Sequence, residues 1–140
     1  MTTPKAVLLP VLIVLALLAA GCEDNIKVIS PTTIAATETE THNTQVWPGG
    51  FSSRTFTMNG AGTVSVTLTT TTPADVSLGL VLGVPRSTGG CAPTVSTATR
   101  ASATPQIVLT ADPGTYCTLV YDLGTLTDPV SYTLKVEHPR

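Results

Sequence analysis

Thr63-Val64-Ser65-Val66-Thr67-Leu68-Thr69 alternates apolar and hydroxyl side chains without a break. In an extended chain successive side chains point to opposite faces, so Val64, Val66 and Leu68 line one face while Thr67 and its neighbours point to solvent. Thr55-Phe56-Thr57-Met58 precedes it with the same period, and Asn59-Gly60 between the two is a strong turn signal. Downstream, Val76, Leu78, Leu80 and Leu82 keep period two between Pro73 and Pro85, interrupted on the opposite face only by small Ser77 and Gly79. Gly79 and Gly83 have the spacing of a membrane helix-pairing motif, but the apolar segment that holds them is too short to span a bilayer.

Pro85 to Thr104 is polar and rich in Gly, Ser and Thr; with no sustained period it reads as a long loop carrying Cys91. Ile107 and Leu109 begin another strand, and Asp112-Pro113-Gly114 makes a turn. Thr115 to Asp122 has apolar residues on both faces, Tyr116 and Val120 on one and Cys117, Leu119 and Tyr121 on the other. Both faces of that strand must therefore be covered. The last run places Val130, Tyr132, Leu134 and Val136 inward, with Lys135 and Glu137 in water. Short period-two runs separated by turn residues predict an all-β antiparallel sandwich or barrel.

Composition agrees. Of 140 residues, 42% are apolar, 11% charged and 4% aromatic, and roughly a fifth are Thr, which favours strands over helices and excludes charge-driven disorder. The formal net charge of −2 and the lack of any Lys/Arg cluster exclude a nucleic-acid partner, whose phosphates demand a basic patch.

The first 21 residues stand apart. Lys5 supplies a charged start, and Ala6 to Ala20 is an almost unbroken apolar run, too short for a spanning helix but right for a secretory signal. It ends in Leu18-Ala19-Ala20-Gly21-Cys22, which resembles the lipobox of bacterial lipoproteins, departing from it at Ala19, where Leu is commoner. The resemblance implies cleavage before Cys22, lipidation of Cys22, and export to the periplasm or cell surface with anchorage in the cell membrane or outer membrane. Glu23 is not the Asp that commonly signals inner-membrane retention, which favours onward export. Residues 22–44, rich in Thr, Glu and Ala, read as a polar tether, whose last part from Thr37 alternates well enough to add an edge strand. The sandwich proper is expected over 45–140.

After cleavage, Cys91 and Cys117 remain beside the lipidated cysteine in an oxidising compartment, and they are expected to pair. The bridge would pin the long loop over the face that bears Leu119 and Tyr121. Two thiols with no local His make a poor metal site.

The order of Phe56-Thr57-Met58, Gly62-x-Val64-x-Val66-x-Leu68, Asp75-Val76-x-Leu78-x-Leu80, then Pro113-Gly114-Thr115-Tyr116 and Val130-Ser131-Tyr132-Thr133-Leu134-Lys135-Val136 resembles the bacterial pre-peptidase C-terminal domain. The similarity spans about Phe51 to Pro139. It implies a small jelly-roll-like β-sandwich with an exported role and no reaction of its own. No protease precedes the domain here, and the Cys91–Cys117 pair is not a general feature of that family.

Catalytic signatures are lacking. His42 falls in the tether and His138 near the end of the chain; neither sits in a metal-binding motif, and no G-x-S-x-G elbow exists. Asp112, Asp122 and Asp128 flank loops, but without a D-x-D-x-D-G run they read as turn formers rather than calcium ligands. No cofactor is implied. Trp47, in Val46-Trp47-Pro48-Gly49-Gly50 at the entrance to the sandwich, is expected to plug one end, with Tyr116, Tyr121 and Tyr132 in the core. The alternative is an exposed indole that forms a carbohydrate-stacking platform with those tyrosines. The sequence thus predicts a non-catalytic, lipid-anchored envelope module that contacts another protein through its Thr-rich sheet, or a glycan through Trp47.

Overall fold

The computed structural model describes residues 36–140, so the leader, Cys22 and the tether as far as residue 35 lie outside the description. Eight strands follow one another: β1 Thr37–Val46, β2 Phe51–Met58, β3 Gly62–Thr72, β4 Leu78–Pro85, β5 Cys91–Thr99, β6 Ile107–Ala111, β7 Gly114–Tyr121 and β8 Val130–Pro139. They form two antiparallel four-stranded sheets, sheet A in the order β1-β8-β3-β6 and sheet B in the order β2-β7-β4-β5.

The pairings β1 with β8, β2 with β7, β3 with β6 and β4 with β5 are those of one long hairpin folded at the β4–β5 turn. Rolling that hairpin and adding the β3–β8 and β4–β7 pairs closes both sheets, which makes the fold a jelly roll. Every connection except β4–β5 therefore crosses from one sheet to the other. The turn at Asn59-Gly60 is one such crossing: it links β2 in sheet B to β3 in sheet A and closes no hairpin.

The apolar rows read from the sequence meet between the sheets. Val64, Val66 and Leu68 of β3 and Leu134 and Val136 of β8 face Leu78, Leu80 and Leu82 of β4 in one buried cluster. Full burial of each such side chain contributes roughly 1.5–3 kcal/mol. Tyr132 belongs to this core. Desolvation there holds its phenol above the ordinary value, partly offset by hydrogen bonding to Ser52 and by the charge of Arg54.

One expectation changes and another is met. The segment from Pro85 to Thr104 is not a long loop: Cys91–Thr99 is β5, an edge strand paired with β4. An edge strand packs only weakly, and Val95 alone in the middle of this one joins the core, so small Thr, Ser and Ala suffice for the rest and leave no hydrophobic period to read. The edge strand expected from Thr37 to Val46 is present as β1, which is in register with β8 from Thr37 opposite Pro139 to Val46 opposite Val130 and moves the start of the sandwich back from residue 45 to Thr37.

The inner face of β1 is unusual for a sandwich. Glu38, Glu40 and His42 stand opposite His138, Val136 and Leu134, so charged groups point inward from an edge strand. Inward charge is one of the devices that keep an open edge from pairing with other chains. The two histidines are therefore held rather than mobile: Glu40 lies with one oxygen 3.1 Å from His42 Nε2 and the other 3.3 Å from His138 Nε2. His138 is buried, its ring 4.8 Å from that of Phe56.

Candidate functional site

The two-faced strand β7 organises the site. Val120 faces the core, while Cys117, Leu119 and Tyr121 stand on the outer face of sheet B, where they form a second apolar cluster with Val81 and Cys91. Cys91 and Cys117 are disulfide-bonded, with Cα atoms 5.8 Å apart. The bridge ties the first residue of an edge strand to β7 across the end of β4, where Gly83 is opposite both Cys117 and Pro93. A Cβ on Gly83 would collide with the Ala92 carbonyl, so only glycine lets β5 close over β4 here. The disulfide does cover the Leu119 and Tyr121 side, as expected, but with a strand rather than a loop.

Gly79 performs a matching task at the other end of β4. The Tyr121 ring occupies the space that a Gly79 side chain would fill, so the ring is laid across β4. Phe51 of β2 is directly opposite Tyr121 in the register and is 63% exposed. Opposed residues on one sheet face have their Cβ atoms about 5 Å apart, so both side chains rise from the outer face of sheet B, Tyr121 toward β4 and Phe51 on β2. Together with Val81, Leu119, Pro93 and Ser96 they line a groove of about 400 Å³, within the range of small-ligand sites.

The rim at one end is a turn. Gly50 N–H donates to the Trp47 carbonyl at 2.8 Å, and Gly49 takes the left-handed conformation that the tight turn needs. Gly49 N–H donates to Asp122 Oδ2 at 2.8 Å, and Asp122 N–H donates back to the Gly50 carbonyl at 3.0 Å. Asp122 Oδ1 accepts from the amides of Gly124, Thr125 and Leu126. One carboxylate thus fastens two loops to the end of β7. The Gly49 amide first, then those of Thr125, Leu126 and Gly124, hold its pKa below the ordinary carboxylate value against the opposing cost of desolvation.

Trp47 is 63% exposed and does not plug the sandwich. The reason is that the end of the core is already closed by Val46 and Val130, which pair directly and are both buried, so the indole next in sequence has no cavity to enter. Of the three tyrosines, only Tyr121 reaches the groove. Tyr132 is in the core, and Tyr116 stacks on Phe56 at 5.9 Å while its hydroxyl donates to the Asp112 carbonyl. Phe51, the second ring of the groove, is the residue that sequence reading missed; its pairing with Tyr121 depends on a contact between distant strands.

Asp122 and Asp128 do not converge. Asp128 lines a separate hollow together with Asp75 and Arg100, and it accepts a hydrogen bond from the Thr127 hydroxyl. Among the described residues no three His, Cys, Asp or Glu side chains are gathered in a way that could hold a metal ion. Compared with known proteins, the chain matches no family model and no curated protein, so the groove has to be understood from its own residues.

Proposed function

We propose that this protein is a lipid-anchored, non-catalytic binding module of the bacterial envelope, exported and held at the membrane through Cys22, that recognises carbohydrate in the groove on sheet B. The observation that carries this reading is that Tyr121 and Phe51 line one groove, the first ring laid across β4 and the second exposed on β2, with Trp47 exposed on the adjoining turn. Aromatic faces pack against the C–H face of a sugar ring, and a shallow groove with a few polar groups at its edge suits a single chain of sugars. Ser96 supplies such a group. The resemblance to the lipobox and to an exported sandwich family supports the address.

Two experiments test it. Cys22→Ser is expected to release the chain from membranes, while the wild type takes up labelled palmitate; a variant that stays membrane-bound, beside a wild type that takes up none, overturns the anchor. In a glycan-binding screen of the detergent-solubilised chain, Tyr121→Ala and Phe51→Ala are expected to abolish retention on the sugars that the wild type binds. A protein-contact module is the second reading, favoured by exposed Leu123 next to Asp122, because aromatic and aliphatic side chains grouped at one surface are also the mark of an interface. In-cell crosslinking that captures one protein partner through Phe51 and Trp47, with no retained glycan, selects it.

A further inference from the structure

We infer that the groove selects uncharged sugar rings and rejects acidic ones, a conclusion that rests on the carbohydrate reading above and names its ligand class. The residues lining the groove include no Lys, Arg or His, and the one carboxylate among them is Asp122. Neither Arg54 nor Arg86, the basic residues on β2 and in the β4–β5 turn, is part of the lining. Asp122 is committed to the charged form by its own architecture, since four backbone amides donate to it. A uronate or phosphate on a bound sugar would therefore meet a fixed negative charge with no cation to offset it. Groups of like sign brought together at an interface repel, and the repulsion weakens with salt. A neutral hexopyranose meets no such repulsion: its C–H face packs on Tyr121 and Phe51, and its hydroxyls reach Ser96.

The test uses the full-length chain in neutral detergent and three hexasaccharides of equal length: an uncharged β-glucan, an oligogalacturonate and a glucosamine oligomer. Calorimetric titration at low salt is expected to give at least tenfold tighter binding of the β-glucan than of the galacturonate, with the gap narrowing as salt is added. Ser96→Lys, which places a cation opposite Val81 on the same face, is expected to bring the galacturonate within about threefold of the glucan. The glucosamine oligomer is expected to bind no more weakly than the glucan. Equal or tighter binding of the galacturonate by the wild type, or a gap that Ser96→Lys leaves unchanged, overturns the inference while the carbohydrate reading survives. Failure of all three sugars to bind removes that reading and the inference with it.

Discussion

On the outer face of sheet A, Thr39, Thr41 and Asn43 of β1 lie beside Thr133, Lys135 and Glu137 of β8, a polar carpet crossed by one Lys135–Glu137 ion pair. On the outer face of sheet B, the corresponding central positions are Val81, Leu119, Tyr121 and the Cys91–Cys117 bridge. Both faces belong to antiparallel sheets of four strands with the same two-residue period. The difference teaches that alternation fixes which side chains face outward but not whether that outward face stays wet. Apart from the inward Glu and His of β1, sheet A divides apolar inside from polar outside along β3 and β8; sheet B builds a second, thin apolar layer and uses a disulfide and two glycines to hold it together.

If that contrast is real, breaking the bridge should be the costliest change on either outer face. The Cys91→Ser/Cys117→Ser double variant is expected to lose about 3.5 kcal/mol by the loop-entropy argument, with proteolysis appearing first within β5; denaturant titration and mass mapping of the cuts check it. Loss of stability with no gain in cleavage at β5 would place the effect elsewhere. Next, Val81→Ala on sheet B should cost about 1–3 kcal/mol, an interior-like penalty for an outward position, in the same titration.

Thr67 sharpens the comparison from the other side. It lies on the outer face of β3, opposite Lys135, yet it is buried and its hydroxyl finds no partner, because the segment from Ser102 to Gln106 runs beside β3. Thr67→Val is therefore expected to stabilise by roughly 1 kcal/mol, since an unpaired buried hydroxyl is replaced by a methyl of the same shape. A smaller, local effect concerns acid. The Asp122 pKa lies below its unfolded value, so its contribution is complete above the ordinary carboxylate range near ~4 and drains away as pH falls below it. Amide exchange at Gly49 and Thr125 should rise in that window, and Asp122→Asn should flatten the dependence. Thr41→Ala, on the wet face of β1, is expected to change stability by no more than about 0.5 kcal/mol.

Much of this was legible in the chain. The rows Val64-Val66-Leu68, Leu78-Leu80-Leu82 and Tyr132-Leu134-Val136 each present one apolar face, and physics leaves them only the core. Apolar residues on both sides of β7 announced a second covered face, and Cys91 and Cys117, expected to pair, announced its fastening. Where reading failed, the local signal was weak or the answer was non-local. β5 is built from Thr, Ser and Ala at an edge and shows no hydrophobic period; β1 was legible as an edge strand, but not the Glu and His on its inner face where an apolar row would be expected. Trp47 was given a cavity that Val46 and Val130 had already filled. The Phe51–Tyr121 pairing exists only because β2 finds β7 across half the length of the chain.

One dimension of β1 bears on how far the groove can reach. The chain enters the sandwich at Thr37, paired with Pro139, and arrives at the Trp47 turn ten residues later. At about 3.3 Å per residue that is a rigid span of roughly 30 Å, with Thr37 at one end and the mouth of the groove at the other. Anything bound in the groove is therefore kept a full strand's length from the point where the chain enters the sandwich.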